Sequence, residues 1–257
     1  MDEPGAFTWP DGKRVAVSVT FDDARQSQLD AGLPILDRHG VKATFYVSIS
    51  RAAEQADAWR AAVAAGHELG NHSLRHSCSA NFLWQARHVL EDYTLETMEA
   101  ELLEANRQLF EWFGVTPQTF AYPCGQDFVG RGIGRQSYVP VVARHFLAGR
   151  GFRDEYLNAP GICDLAKLGG TELDGLDAEA LFSLLERTAE KRLWLVLAGH
   201  EVGTGGHQTT RAKALDRFAA YCADPANGVW IDTVANIAAY VRVNQPPLPS
   251  QSSSPLD

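Results

Sequence analysis

The sequence predicts an α/β fold assembled from parallel strand–helix units, on three observations. Residues 15–23, Val-Ala-Val-Ser-Val-Thr-Phe-Asp-Asp, alternate apolar with small or polar residues, which reads as a strand with one buried face ending in two carboxylates. Strand-like and helix-like stretches then alternate through most of the chain, the rhythm of parallel βα units. At 257 residues, 45% hydrophobic and 21% charged, the chain fits one large soluble domain better than two small ones.

Taken in order, residues 1–14 are a lead-in punctuated by Pro4, Gly5, Pro10 and Gly12. After the opening strand, Leu29, Leu33, Ile35 and Leu36 mark a helix that firms near Pro34 and stops at Gly40. Residues 41–48 read as a second strand, 51–65 as an Ala-rich helix stopped by Gly66, and 67–73 as a short third strand. Thr94 to Phe113 is an amphipathic helix with Thr94 as N-cap. The reciprocal capping box is not expected, because position 97 holds Thr rather than an acid or amide. Residues 119–125 form a strand ending in a turn, 138–145 a helix, 146–149 a strand, and 165–171 a further strand. A helix over 177–191 capped by Asp177 precedes the most apolar strand, 193–198, which delivers Gly199 and His200. A helix over 208–222, a strand over 229–232 and a helix over 233–242 complete the pattern. The Pro- and Ser-rich stretch from Gln245 reads as a disordered tail.

Charge and cysteine content narrow the function. Lys and Arg number 23 against 32 Asp and Glu, a net charge of −9, which argues against nucleic acid as a partner. No apolar run approaches the ~18–20 residues of a membrane span. The first ten residues lack the pattern of a signal peptide, consistent with the cytoplasm or with the mature form of a secreted protein. The four cysteines, Cys78, Cys124, Cys163 and Cys222, form no Cys-x-x-Cys and are expected as free thiols.

Chemistry gathers at strand ends. Asp22 and Asp23 close the first strand, where side chains from several strands can converge. His72-Ser-Leu-Arg-His76 follows the third strand, and imidazoles at i and i+4 on one face of a helical turn can share a metal. With a carboxylate from another strand end they make a two-His, one-carboxylate set that leaves positions open for water and substrate. Of the other histidines, His39, His88, His145 and His207 read as surface or packed residues, and His67 precedes the pair on its strand. Glu68 is either a support for the metal ligands or structural. Tyr122 and Trp84 either line a cleft or belong to the core.

Thr20-Phe-Asp-Asp23, His72-Ser-x-x-His76, Phe120-Ala-Tyr-Pro-Cys-Gly125 and the apolar strand ending at His200 together resemble the polysaccharide deacetylases with the NodB-homology domain, carbohydrate esterase family 4. The resemblance spans residues 15–201. It implies a distorted (β/α) barrel of about seven parallel strands, a single catalytic domain over residues 15–244, acting as a metal-dependent hydrolase on an acetylated oligo- or polysaccharide. Asp23, His72 and His76 would bind one divalent ion, zinc first, with cobalt, nickel or manganese as alternatives. Asp22 would be the general base and His200 the general acid. The backbone N–H of Cys124 would help hold the oxyanion, with Tyr122 beside it.

Three departures accompany the resemblance. The arginine that usually opens the third motif, where it orients the base, is Ala121 here, and Arg25 is a candidate substitute. No Asp-x-x-Asp-Trp motif is present, although Asp154, Asp164 and Asp174 lie in the right region, so the group that tunes His200 is unassigned. Ala198-Gly199 precedes His200 where the family has Leu directly before the His. Two alternative readings stand beside deacetylation: hydrolysis of a small non-sugar amide on the same fold, and a catalytically silent glycan-binding barrel. The sequence does not determine the linkage, N- or O-acetyl, or the oligomeric state.

Overall fold

The structure is a computed structural model that describes residues 7–85 and 87–246. Residues 1–6 of the lead-in and 247–257 of the Pro- and Ser-rich tail lie outside the described residues. The main sheet contains β1 (Val15–Asp22), β2 (Thr44–Val47), β3 (Glu68–Asn71), β4 (Thr119–Ala121), β5 (Ala148–Arg150), β6 (Thr171–Glu172), β7 (Trp194–Gly199) and β8 (Val229–Ile231). The helices are α1 (Leu33–Arg38), α2 (Ile49–Glu54), α3 (Ala56–Ala64), α4 (Leu95–Phe113), α5 (Val139–His145), α6 (Ala178–Glu190), α7 (Ala212–Ala223) and α8 (Val234–Asn244).

The strands run in parallel in the order β5-β4-β3-β2-β1-β7-β6, with β8 beside the start of β1. A single parallel bridge between Arg150 and Leu168 links the β5 edge to the segment that enters β6, so the curled sheet returns on itself. This is the distorted (β/α) barrel of about seven parallel strands that the resemblance implies, seven strands in one path with β8 as an eighth beside β1. No helix among the described residues is long and apolar enough to cross a membrane.

The opening strand differs from its reading in one respect: both faces are buried, not one. Val15, Val17, Val19 and Phe21 pack into the largest apolar cluster with residues of the surrounding helices, including Leu36, Leu185 and Phe218. Ser18, Thr20 and Asp22 occupy the alternate positions and are buried too. A parallel strand covered on both faces is the rule in such folds; here the second face is polar because it lines the barrel. Ser18 accepts a hydrogen bond from Trp194 Nε1 at 3.2 Å, and Thr20 donates to the Leu197 carbonyl at 2.8 Å.

Element boundaries shift where side chains intervene. The expected helix over 51–65 is two helices, α2 and α3, broken at Gln55. The stretch 165–171 is mostly a turn, and only Thr171–Glu172 joins the sheet. The last helix pair begins later than read, because Thr209–Arg211 forms a short parallel pair with Glu201–Gly203 before α7. The capping box that the Thr at 97 seemed to exclude is present: the hydroxyls of Thr94 and Thr97 each accept from the other residue's backbone N–H. A hydroxyl serves there as an amide or acid would.

The expectation of four free thiols is overturned for two of them. Cys78 and Cys124, 46 residues apart, form a disulfide, while Cys163 and Cys222 are free. Sequence separation hid the pair because the loops after β3 and β4 meet only when those strands are neighbours.

Candidate active site

Asp22, Asp23, Arg25, His72, His76, Cys124 and His200 gather at one rim, the ends of β1, β3, β4 and β7, where Arg150 at the end of β5 joins them. Asp22 is the last residue of β1, and Asp23 turns away from the strand with φ 76°. That positive φ lets two consecutive carboxylates face the same rim, against the alternation of a strand. Gln28, in the single π-helical turn Gln28–Gly32 before α1, ties two strand ends together. Its Nε2 donates to the carbonyls of Asp22 at 2.6 Å and His200 at 2.9 Å.

Asp23, His72 and His76 bring their donor atoms within 4.8 Å of one another. Asp23 Oδ1 is 3.8 Å from His72 Nε2 and 3.6 Å from His76 Nε2. Nitrogen and oxygen donors about 2.0–2.1 Å from one ion at a tetrahedral angle are about 3.4 Å apart, so this set fits a divalent metal with small adjustments. The helical turn expected for His72–His76 is not what joins the two rings. The segment is an irregular bend with Ser73 at φ 61° and His76 at φ 52°, and the ring centroids still come to 4.8 Å. His72 Nδ1 lies 2.9 Å from the Ala121 carbonyl, which fixes Nδ1 as the donor and leaves Nε2 free to ligate. The loop between the ligands is braced by buried Glu101 of α4, which accepts from the Arg75 backbone N–H at 3.0 Å and from Arg75 Nη1 at 3.1 Å.

Charges around the aspartates hold both ionised. Burial pushes the Asp22 carboxyl upward, but the Arg150 guanidinium beside it and the imidazoles of His72 and His200 outweigh that, so it lies below the usual carboxylate range. Asp23 is likewise buried yet depressed, with the neighbouring His72 and the Arg25 guanidinium outweighing the burial. Burial and the neighbouring His72 press His76 down to about 4, against the pull of the aspartates, which keeps its ring neutral and able to ligate.

The cation on Asp22 is not Arg25. Arg150, the last residue of β5, is fully buried and donates from Nη2 to Asp22 Oδ1, while its Nη1 donates to the Gly151 carbonyl at 2.8 Å. Arg25 does reach the pair, but at the other aspartate. It donates to Asp23 Oδ2 from Nε at 3.2 Å and Nη2 at 2.8 Å, and it also holds Glu201 and Gln208. Arg25 therefore turns Asp23 so that Oδ1 faces the histidines. Arg150 is the residue the sequence reading missed. Its signal was available only as an arginine at the end of a predicted strand.

His200 gains the partner it lacked. Its Nδ1 lies 2.7 Å from Asp174 Oδ2, and its backbone N–H donates to Asp174 Oδ1 at 3.1 Å. Burial lowers the imidazole pKa, but that hydrogen bond and the charges of Asp22 and Asp174 more than offset it, so the net shift is upward. Thr210 Oγ1 donates to the same Asp174 oxygen at 2.8 Å. This packing explains Gly199: a Cβ there would collide with Thr210 Oγ1 and lie 3.1 Å from Asp174 Oδ1.

Two other candidates leave the site. Tyr122 is fully buried, donates its hydroxyl to the Ala166 carbonyl at 2.6 Å, and packs on Phe120 and Tyr138; it belongs to the core rather than to a cleft. Glu68 sits at the start of β3, away from the rim, where it accepts from Thr44, Thr119 and the Ala235 N–H; its role is structural. Cys124 stands in the turn after β4 at φ 55°. Trp84 is 61% exposed with its ring centroid 6.5 Å from that of His76.

The chain is similar in sequence and fold to several known proteins. The family model described as polysaccharide deacetylase matches residues 10–129, the stretch carrying Asp22, Asp23, His72, His76 and Cys124. The peptidoglycan-N-acetylglucosamine deacetylase PgdA of Listeria monocytogenes is 28% identical over 131 residues, 51% of this chain and 25% of its own length. The match thus spans about a quarter of that relative. A structure from Mycobacterium smegmatis with a provisional polysaccharide deacetylase name superposes with TM-score 0.69 at 21% identity, covering 95% of this chain and 96% of that one. A family 4 acetyl xylan esterase from Clostridium thermocellum, in complex with cobalt, superposes with TM-score 0.56 at 20% identity, over 90% and 96% of the two chains. The chain is thus similar to polysaccharide deacetylases in sequence over residues 10–129, and it shares the fold of the solved structures across nearly its whole length.

Proposed function

We propose that this protein is a metal-dependent hydrolase that removes acetyl groups from an acetylated carbohydrate, with residues 15–244 as its catalytic unit. The observation that carries the reading is the joint placement of an ionised Asp22, the Asp23–His72–His76 donor set and the His200–Asp174 pair on one rim. Asp23, His72 and His76 would hold one divalent ion, and the oxygen-and-imidazole set suits zinc, cobalt, nickel or manganese. Bound there, such an ion supplies Lewis acidity toward water and the acyl oxygen.

The chain's own residues do the rest. Asp22, kept ionised by Arg150, accepts the proton of the attacking water as general base. The backbone N–H of Cys124 donates to the developing oxyanion. His200, its pKa raised by Asp174, gives a proton to the departing amine or alkoxide. Arg25 aligns Asp23, and the Ala121 carbonyl aligns His72.

The test is acetate release by metal-reconstituted protein, with and without chelator, across N- and O-acetylated sugars from monomer to polymer. Chelator-sensitive release establishes the reaction, and the preferred member gives linkage and length. A folded, metal-loaded protein that releases acetate from no member overturns the reading; turnover of small non-sugar amides would then mark the amide-hydrolase alternative, and glycan binding without turnover the silent barrel.

A further inference from the structure

The two ring nitrogens of His76 face different partners. Nε2 faces Asp23, whereas Nδ1 lies 3.8 Å from Cys78 Sγ of the Cys78–Cys124 disulfide. A ring nitrogen of His76 and the two sulfurs together fall within 4.8 Å of one another. Sulfur and nitrogen donors at about 2.3 and 2.0 Å from a tetrahedral zinc lie about 3.5 Å apart, so the Nδ1-to-sulfur separation already matches shared coordination. The sulfurs alone are too close for that, because they are bonded to each other.

The loops carrying the sulfurs are held together by more than the disulfide. The Ser79 N–H donates to Gln126 Oε1 at 2.7 Å, and the Gln126 carbonyl accepts from Tyr138 Oη at 2.8 Å. The Leu90 N–H donates to the Cys78 carbonyl at 3.1 Å. Breaking the S–S bond therefore leaves two thiols facing each other beside an imidazole. Cys78 is buried, Cys124 half-buried, and the His76 side chain 31% exposed, so a further position opens toward solvent.

We propose that the Cys78–Cys124 disulfide masks a second metal site: once reduced, Cys78, Cys124 and His76 form a two-thiolate, one-imidazole site for a soft divalent ion such as zinc or cadmium. A dithiol supplies the two electrons and two protons, becoming a disulfide while both Sγ atoms become thiols. The metal then displaces those two protons. Thiolate donors select this class of ion over the hard cations. The assignment stands on these donors alone and does not depend on the carbohydrate reading. Because His76 belongs to both donor sets, the redox state of the two cysteines bears directly on the neighbouring centre.

The experiment compares the oxidised and reduced whole protein as cobalt is added without oxygen. A phosphine serves as reductant; it takes an oxygen from water to become the phosphine oxide, and it is removed before titration. The reduced protein is expected to show thiolate-to-cobalt charge-transfer absorption in the near ultraviolet that the oxidised protein lacks. Cys78→Ser and Cys124→Ser are expected to lose it, and Cys163→Ser to keep it. Absence of the band in the reduced protein overturns the proposal, as does a band unchanged by Cys78→Ser. Loss of the native far-ultraviolet circular dichroism on reduction overturns it as well, since the site requires that the loops stay in place.

Discussion

Ala121 and Arg150 are register partners on the adjacent parallel strands β4 and β5, and the arginine's guanidinium pairs with Asp22 across the barrel. Partnered residues of neighbouring strands point to the same face of a sheet. A guanidinium moved from position 121 to position 150 therefore still enters the barrel beside the same carboxylate. Arg150 thus supplies the cation beside Asp22 from the strand next to Ala121, and Arg25 pairs with Asp23 instead.

That relationship predicts an exchange. Arg150→Ala leaves a buried carboxylate without its cation, which costs about 3–5 kcal/mol of stability when one partner of a buried pair is removed. Activity should fall with it. The double variant Ala121→Arg, Arg150→Ala should recover part of both, as read by thermal unfolding and by kcat on the preferred substrate. A double variant no better than the single one would mean that Arg150 acts from its own position only.

The two aspartates should separate by phenotype. Asp23→Ala and His72→Ala should lose metal stoichiometry, measured by elemental analysis after dialysis, with the fold retained. In the wild type, metal at a hundredfold its Kd should raise stability by about 2.7 kcal/mol, a gain these variants lose. Asp22→Ala should keep its metal and lose kcat by ~10²–10⁴-fold, the range a general base supplies.

If His200 is the general acid proposed above, the alkaline side of the pH profile should belong to it. Its acid form is the useful one, and its raised pKa keeps that form populated to higher pH than an ordinary imidazole. Asp174→Asn removes the charge that raises it. The alkaline limb of kcat should then move to lower pH, while the acid limb, set by other groups, stays in place. A limb that does not move would show that His200 is not the titrating acid.

Gly199 should tolerate no side chain. Gly199→Ala places a Cβ against Thr210 Oγ1 and Asp174, so one of them must shift. Overpacking of this kind costs typically about 1–3 kcal/mol. The kcat and its pH profile should change in the direction of Asp174→Asn, with KM less affected.

Much of the site was legible because strand ends announce themselves. A period-2 apolar run followed by Asp22-Asp23, and a short strand followed by His72 and His76, localise chemistry with no knowledge of how the strands are ordered. What stayed hidden depends on that order. Asp174 lay among three candidates, and only the pairing of β6 with β7 selects it. The Cys78–Cys124 bond requires that β3 and β4 be neighbours. Tyr122 and Glu68 looked available because strand alternation does not say which face is core and which end of the strand is the rim.

The sequence by itself determined the class of fold and the run of parallel βα units, since these follow from local periodicity, and it put candidate carboxylates and imidazoles at strand ends; the roles proposed for them came from the family resemblance. Only the tertiary structure decided which cation serves which carboxylate, which acid tunes His200, and which thiols are joined. Those are distances between segments far apart in the chain: 128 residues from Asp22 to Arg150, 26 from Asp174 to His200, 46 from Cys78 to Cys124. Closure of the curled sheet sets all of them at once, because the register of each strand fixes which strand-end side chains share the rim.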